Sequence, residues 1–377
     1  MSDIDLPPMA NTITDVVPKL VGLMLPKLRA NSIMPRLVNR DFDTLGAQPG
    51  SSIDVPLPPS ISTVDVTAAN TPPATSDITL STVNVPLSSW KEAPFYMTDK
   101  DLMEVQQDKL PGVVESALSS IIDTIDAQIL SQASLGAGMG DDQTGGIFNV
   151  IGDATEPGKL LNKNKVSRQG RSCVFDADAE AALLGLNAFT SSDYQTAFPI
   201  EAGEFGPSPK LGAQWYMDQN VATHTKGTMT GVVTNNGALS IGDTTVTLAG
   251  VGSGTTVVAG DLVKVGSYYY GVQIGRTGSG DITLNQGLIE DVATGQSVTL
   301  VASHQANVMF ARDAIVFVSR PFQASNAAIA SQTISDPVSG LSLRLEVTRE
   351  HKRDRWSIDA LYGTKVVRPE GVIKIAG

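Results

Sequence analysis

The sequence predicts an α+β chain, rich in strands and organised around one long helix, and three observations carry that reading. Apolar residues alternate with polar ones from Gly50 to Leu87, the period of a strand with one buried face. Between Val114 and Ile129 they recur instead at steps of three and four, which is the spacing of one helix face. Residues 225–303 then turn rich in Gly, Thr and Val and poor in Lys and Arg, the composition of a small all-β unit.

Composition agrees with a folded chain of two or three domains. Of 377 residues, 41% are hydrophobic and 18% charged, which is outside the low-hydrophobicity, high-charge range of disordered chains. The net charge of -12, from 27 Lys plus Arg against 39 Asp plus Glu, has the wrong sign for neutralising phosphates, so no sequence-specific nucleic-acid binding is expected. The single Cys173 excludes an internal disulfide and fits a reducing cytoplasm. No stretch has the 18 or so uncharged apolar residues of a membrane span, and Met1-Ser2-Asp3-Ile4-Asp5 is acidic where an export signal is basic. A membrane partner is therefore not expected.

Residues 1–46 read as an N-terminal arm of short helices, because prolines 18, 26 and 35 each limit a helix to a few turns. Residues 47–97 read as an extended β-ribbon. Its apolar positions are Ile53, Val55 and Leu57, then Ile78 and Leu80, then Val83 and Val85. Prolines 56, 58, 59, 72, 73 and 86 confine these strands to an edge. A two-stranded ribbon is marginal alone, so it needs another surface to lie on, and a neighbouring subunit is one candidate.

Residues 98–137 read as a helical region with Thr98 as N-cap and a break at Pro111-Gly112. Its core face is Leu118, Ile121, Ile122, Ile125 and Ile129, with Asp123 and Asp126 on the other side. Gly136-Ala137-Gly138-Met139-Gly140 is expected to stop the helix and form a flexible loop. Residues 138–224 are mixed α/β, including a strand at Cys173-Val174-Phe175 that leads into a helix capped by Asp176. The inserted β-rich unit at 225–303 offers strands at Thr244–Leu248, Leu262–Val265, Tyr268–Ile274, Ile282–Leu284 and Ser297–Val301. The parent pattern returns over 304–377, with a buried run at Ala314–Val318, alternation at Leu341–Val347 and Trp356–Ala360, and a short terminal strand.

Chemistry finds little purchase in this chain. His224, His304 and His351 sit in no metal-binding spacing and read as surface or element-end histidines. Cys173 lies in an apolar strand and reads as an inert thiol. No GxSxG elbow is present, and Gly136, Gly138 and Gly140 follow a helix where a dinucleotide fingerprint would follow a strand. Asp176, Asp178 and Glu180 suit a helix N-terminus better than a cation loop. The basic run Arg349–Arg355 is interrupted by Glu350 and Asp354, as in a salt-bridged face. No catalytic residue, cofactor or metal is assigned, and the chain is not expected to be an enzyme.

The order of elements resembles the tailed-phage capsid fold of the Hong Kong 97 type, with its N-terminal arm, extended loop, spine helix, and peripheral and axial domains. The coat proteins of short-tailed temperate phages, which carry an inserted β-domain, are the nearer likeness. Asn307-Val308-Met309-Phe310-Ala311-Arg312-Asp313-Ala314-Ile315-Val316-Phe317-Val318-Ser319-Arg320-Pro321 resembles the strand after that insertion. Tyr362-Gly363 followed by Arg368-Pro369-Glu370 resembles the family's ending. Pro207-Ser208-Pro209-Lys210-Leu211 fits less closely, and the insertion here is shorter and more glycine-rich than the family's. The resemblance implies a major capsid protein that self-assembles into pentamers and hexamers of an icosahedral phage head enclosing DNA. It further implies assembly in the host bacterial cytoplasm, with scaffolding and portal proteins as partners and a decoration protein as a further one. The alternatives are an encapsulin-like nanocompartment shell and a secreted β-rich surface protein.

Overall fold

A computed structural model of the chain describes residues 32–43, 52–59, 80–98, 109–143, 145–186, 209–230, 233–235, 237–322, 328–336 and 338–377, with isolated positions around them. Most of the predicted arm, the residues after Thr98 where a helix start was expected, and Pro207-Ser208 lie outside the described residues, while Thr98 itself ends a strand. In chain order the first strands are β1 Ser52–Pro56, β2 Thr82–Pro86, β3 Ser89–Thr98, β4 Met139–Asp141, β5 Arg171–Phe175, β6 Gln214–Met217 and β7 Thr223–His224. Next come β8 Val233–Asn235, β9 Thr245–Ala249, β10 Thr256–Val257, β11 Leu262–Val265, β12 Tyr268–Ile274, β13 Arg276–Thr277, β14 Gly280–Leu284 and β15 Ser297–Leu300. The last are β16 His304–Ala311, β17 Ile315–Arg320, β18 Ala330–Ser335, β19 Ser342–Glu350, β20 Arg353–Val366 and β21 Val372–Ala376. The helices are α1 Met34–Leu37, α2 Lys109–Leu135, α3 Ile151–Lys163 and α4 Ala177–Leu184.

The long helix α2 lies on a five-stranded antiparallel sheet of order β17-β20-β19-β18, with β3 on the opposite edge of β20. Val114, Leu118, Ile121, Ile122, Ile125 and Ile129 are all at most 3% exposed, packed with Phe317, Leu345, Trp356, Ile358 and Tyr362. Each such aliphatic contributes about 1.5–3 kcal/mol of burial. Gln128 ties the helix to two strands of the sheet, donating to the Ser89 hydroxyl of β3 and accepting from Tyr362 Oη of β20 at 2.8 Å. The helix runs unbroken through Pro111 and Gly112, where the sequence suggests a break.

Asp126 also departs from expectation, for it is 1% exposed and faces inward. Its carboxylate accepts the Ile33 N–H at 3.1 Å, so helix α2 holds the chain just before α1. Met24, Leu28, Met34 and Val38 enter the same core. Burial pushes the Asp126 carboxyl up to about 8, and the nearby Asp218 adds to the shift. Its Oδ1 has no hydrogen-bond partner, as suits a protonated group.

The second sheet starts at β6 and passes through β5, β16, β21 and β4 to β12. There the strands of 225–303 take over and close on themselves. β12 pairs β11, β11 pairs β15, β15 pairs β8, β8 pairs β9, β9 pairs β14, and β14 returns to β12. Six strands thus form a ring without a free edge, its apolar residues including Val246, Val263, Val265, Tyr270, Val272, Ile282 and Val298. That core is continuous with Cys173, Phe175 and Trp215 of the parent sheet.

The join is made by β4, in the stretch predicted to be a flexible loop. Met139 and Gly140 pair with β12 on one side and with β21 on the other. Glycine is required by close approach: a Cβ on Gly140 would sit 2.6 Å from Leu262 Cδ2 and 2.9 Å from the Lys374 carbonyl oxygen. The helix stops at Leu135 as expected, and Met139–Asp141 is a packed strand where the sequence reading offered a loop.

Candidate assembly surfaces

The ribbon is the first surface to place. β1 and β2 pair from Ser52↔Pro86 to Pro56↔Thr82, and Asn84 donates to Asp54 Oδ1 at 2.7 Å across them. Ile53, Val55 and Val85 are at most 6% exposed. They pack on Val316, Val318 and Val367 of their own chain, with Leu57 and Val83 partly buried beside them. Lys365 Nζ donates to the Asn84 carbonyl at 3.0 Å, pinning the ribbon to β20. The base of the ribbon is therefore covered internally, where the sequence reading offered these residues to a neighbour. The reason is topological: β17 lies beside the ribbon and presents Val316 and Val318 at the same strand period.

Beyond the last pair the picture reverses. Ile78 is 60% and Leu80 70% exposed, and Ile61 is 71% exposed. Three large aliphatics therefore stand in water beyond the base of the ribbon. Strand Ser89–Thr98, expected within the ribbon, instead pairs β20 along ten positions from Ser89↔Tyr362 to Thr98↔Arg353. Period-two patterning is the same in a ribbon and in a sheet, so the sequence alone does not separate them.

A groove of about 850 Å³ runs between β3 and α2, lined by residues that include Lys91, Ala93, Phe95, Val113, Ala117 and Ile121. Its floor is shaped by Phe95 stacked on Trp356, with centroids 6.1 Å apart. Val113, 44% exposed, forms an open apolar lip. The predicted spine residues Leu118, Ile122, Ile125 and Ile129 face the other way, into the core.

The remaining chemistry-bearing residues are placed as follows. Asp176 caps α4 by accepting the Ala179 N–H at 3.2 Å. Cys173 is buried, and burial pushes its thiol well above the ordinary range. Arg349 pairs with Asp354 at 2.8 Å and Arg353 with Glu350 across the β19–β20 turn, so the basic run is a salt-bridged hairpin end. His351 is exposed. His224 closes β7 and His304 opens β16, so the element-end half of the sequence reading holds and the surface half does not: their rings lie 5.5 Å apart in a partly buried cluster. Among the described residues no helix is long and apolar enough to cross a membrane.

Comparison with solved structures identifies the fold. A structure from Mycobacterium phage Che8 matches with TM-score 0.52 and 17% identity, over 91% of this chain and 90% of that one. The capsid structure of cyanophage P-SCSP1u matches with TM-score 0.52 and 10% identity, over 92% and 88%. The mature capsid of bacteriophage PhiM1 matches with TM-score 0.46 and 10% identity, over 100% and 90%. No family model matches the sequence, and no curated protein matches it. The protein has a phage capsid-protein fold.

Proposed function

We propose that the chain is the major capsid protein of a tailed phage, a shell subunit whose function is its own assembly geometry. The observation that carries the reading is the outer end of the ribbon, where Ile61, Ile78 and Leu80 stand in water although the base of the same ribbon is buried. In this reading the outer ribbon of one copy lies in the β3–α2 groove of the next. Permanent contacts of this sort commonly bury more than about 2,000 Å². Each contact is head-to-tail and closes only as a ring, which on a curved shell means pentamers and hexamers. The six-stranded ring of 225–303 corresponds to the inserted β-domain of the short-tailed temperate phages, and scaffolding and portal proteins are the partners that follow.

Negative-stain microscopy of the full chain, expressed alone and with its neighbouring phage genes, tests this. Closed particles several hundred ångströms across are expected; a monodisperse monomer under both conditions overturns the proposal. DNA-filled particles from infected cells distinguish a virion from a cargo-storing compartment.

A further inference from the structure

Four ionisable side chains converge where the inserted ring meets the parent sheet. The chain enters the insertion through β7 and leaves it into β16, and these two strands pair at His224↔His304. A histidine therefore marks both ends of the inserted segment. From the ring comes Asp261, 0% exposed, whose carboxylate accepts His224 Nε2–H at 2.9 Å, Val258 N–H at 2.8 Å and Gly227 N–H at 3.2 Å. From the parent strand β21 comes Lys374, also 0% exposed, which donates to the Gly260 carbonyl at 2.9 Å. His304 Nδ1 donates to the Ala302 carbonyl at 2.6 Å. Its Nε2 is buried with no partner.

We propose that this cluster is a proton-gated joint, closed when His304 and Lys374 are neutral and loosened when protons add charge between ring and sheet. The geometry gives the reason. Among the described residues Asp261 is the one carboxylate acting on His304 and Lys374, and it already balances a hydrogen-bonded imidazole and two amides. A charged Lys374 needs that same carboxylate as counter-ion, and a charged His304 would lie beside Lys374 and His224 with none left. Desolvation disfavours each added charge further.

The direction of each base agrees. Burial, aided by Lys374, pushes His304 down to about 4, and burial pushes Lys374 down to about 7. A base with a lowered folded value binds protons less well in the closed state. Acid therefore opens the joint: Lys374 contributes on the alkaline side of about 7, and His304 between about 6.5 and 4. The backbone pairing of β12 with β4 does not titrate, so the ring stays attached while the turn at Val258–Asp261 is released.

Hydrogen exchange of the full-length protein reads this directly. The Gly260 N–H, bonded to the Val272 carbonyl, and the Val272 N–H, bonded to the Asp261 carbonyl, report on the joint. The β19–β20 ladder serves as reference. After correction for intrinsic rates, protection of the joint amides is expected to fall at least about tenfold from about pH 7.5 to about 4.5. The reference should change less than about threefold. His304→Asn, which keeps a donor for Ala302, is expected to flatten the acid limb. Joint amides that track the reference in the wild-type protein overturn the proposal, and that comparison does not depend on any variant folding. A full acid limb retained in His304→Asn overturns it equally.

Discussion

The two ends of the ribbon carry one apolar pattern and meet two different fates. At the base, Ile53, Val55 and Val85 are sealed against Val316, Val318 and Val367 of the same chain. At the outer end, Ile61, Ile78 and Leu80 have no such cover. Alternation tells which residues want burial, and only topology tells who buries them. If the base serves the subunit and the outer end serves the shell, substitutions at the two ends must separate folding from assembly.

The largest effect lies beneath both ends, in the α2 core that holds β17 and β20 in place. Ile125→Asp puts an unpaired charge at a position 0% exposed and should cost about 4 kcal/mol or more. No soluble folded subunit is expected in expression trials, and a normal yield of particles contradicts this. Val85→Ala at the ribbon base removes two methyl groups from a closed core and should cost about 2 kcal/mol. Chemical denaturation of the unassembled subunit measures it.

Asp126 gives a prediction in which pH is the variable. Its folded value, about 8, stands above the ordinary 3.8, so wild-type stability is fully present below about 4 and is lost as pH rises through 8. Asp126→Asn keeps an acceptor for the Ile33 N–H and removes that slope. The variant should gain on wild type by on the order of 1–3 kcal/mol between about pH 5 and 9, read as diverging melting temperatures. The smallest effect on folding is expected at the outer ribbon. Ile78→Ser with Leu80→Ser should leave subunit stability within about 0.5 kcal/mol, yet particles should be lost in sedimentation.

Much of this arrangement was legible in the sequence, and its failures share a cause. The α2 core face could be read because helix periodicity is local, and the strands of 225–303 because turn residues punctuate them. The capping of α4 by Asp176 was visible for the same reason. What escaped is what distant residues decide. Asp126 looks solvent-facing on a helical wheel until Ile33, 93 residues away, supplies a donor. Gly138-Met139-Gly140 reads as a loop until β12 and β21 close on it from either side. His224 looks like a surface residue until Asp261, 37 residues on, and Lys374 converge with it. The outer ribbon stays partly hidden for the converse reason, since in the proposed function its cover is another copy of the chain.

Engineered cysteines test that last point most directly. One batch of protein carries Leu80→Cys and another Val113→Cys, while the native thiol at Cys173 is buried and silent. Mixed under mild oxidation and assembly conditions, the two should form a disulfide between chains that joins ribbon to groove. Absence of that species, with a disulfide forming only inside a single chain that carries both cysteines, would show that the outer ribbon folds back on its own subunit.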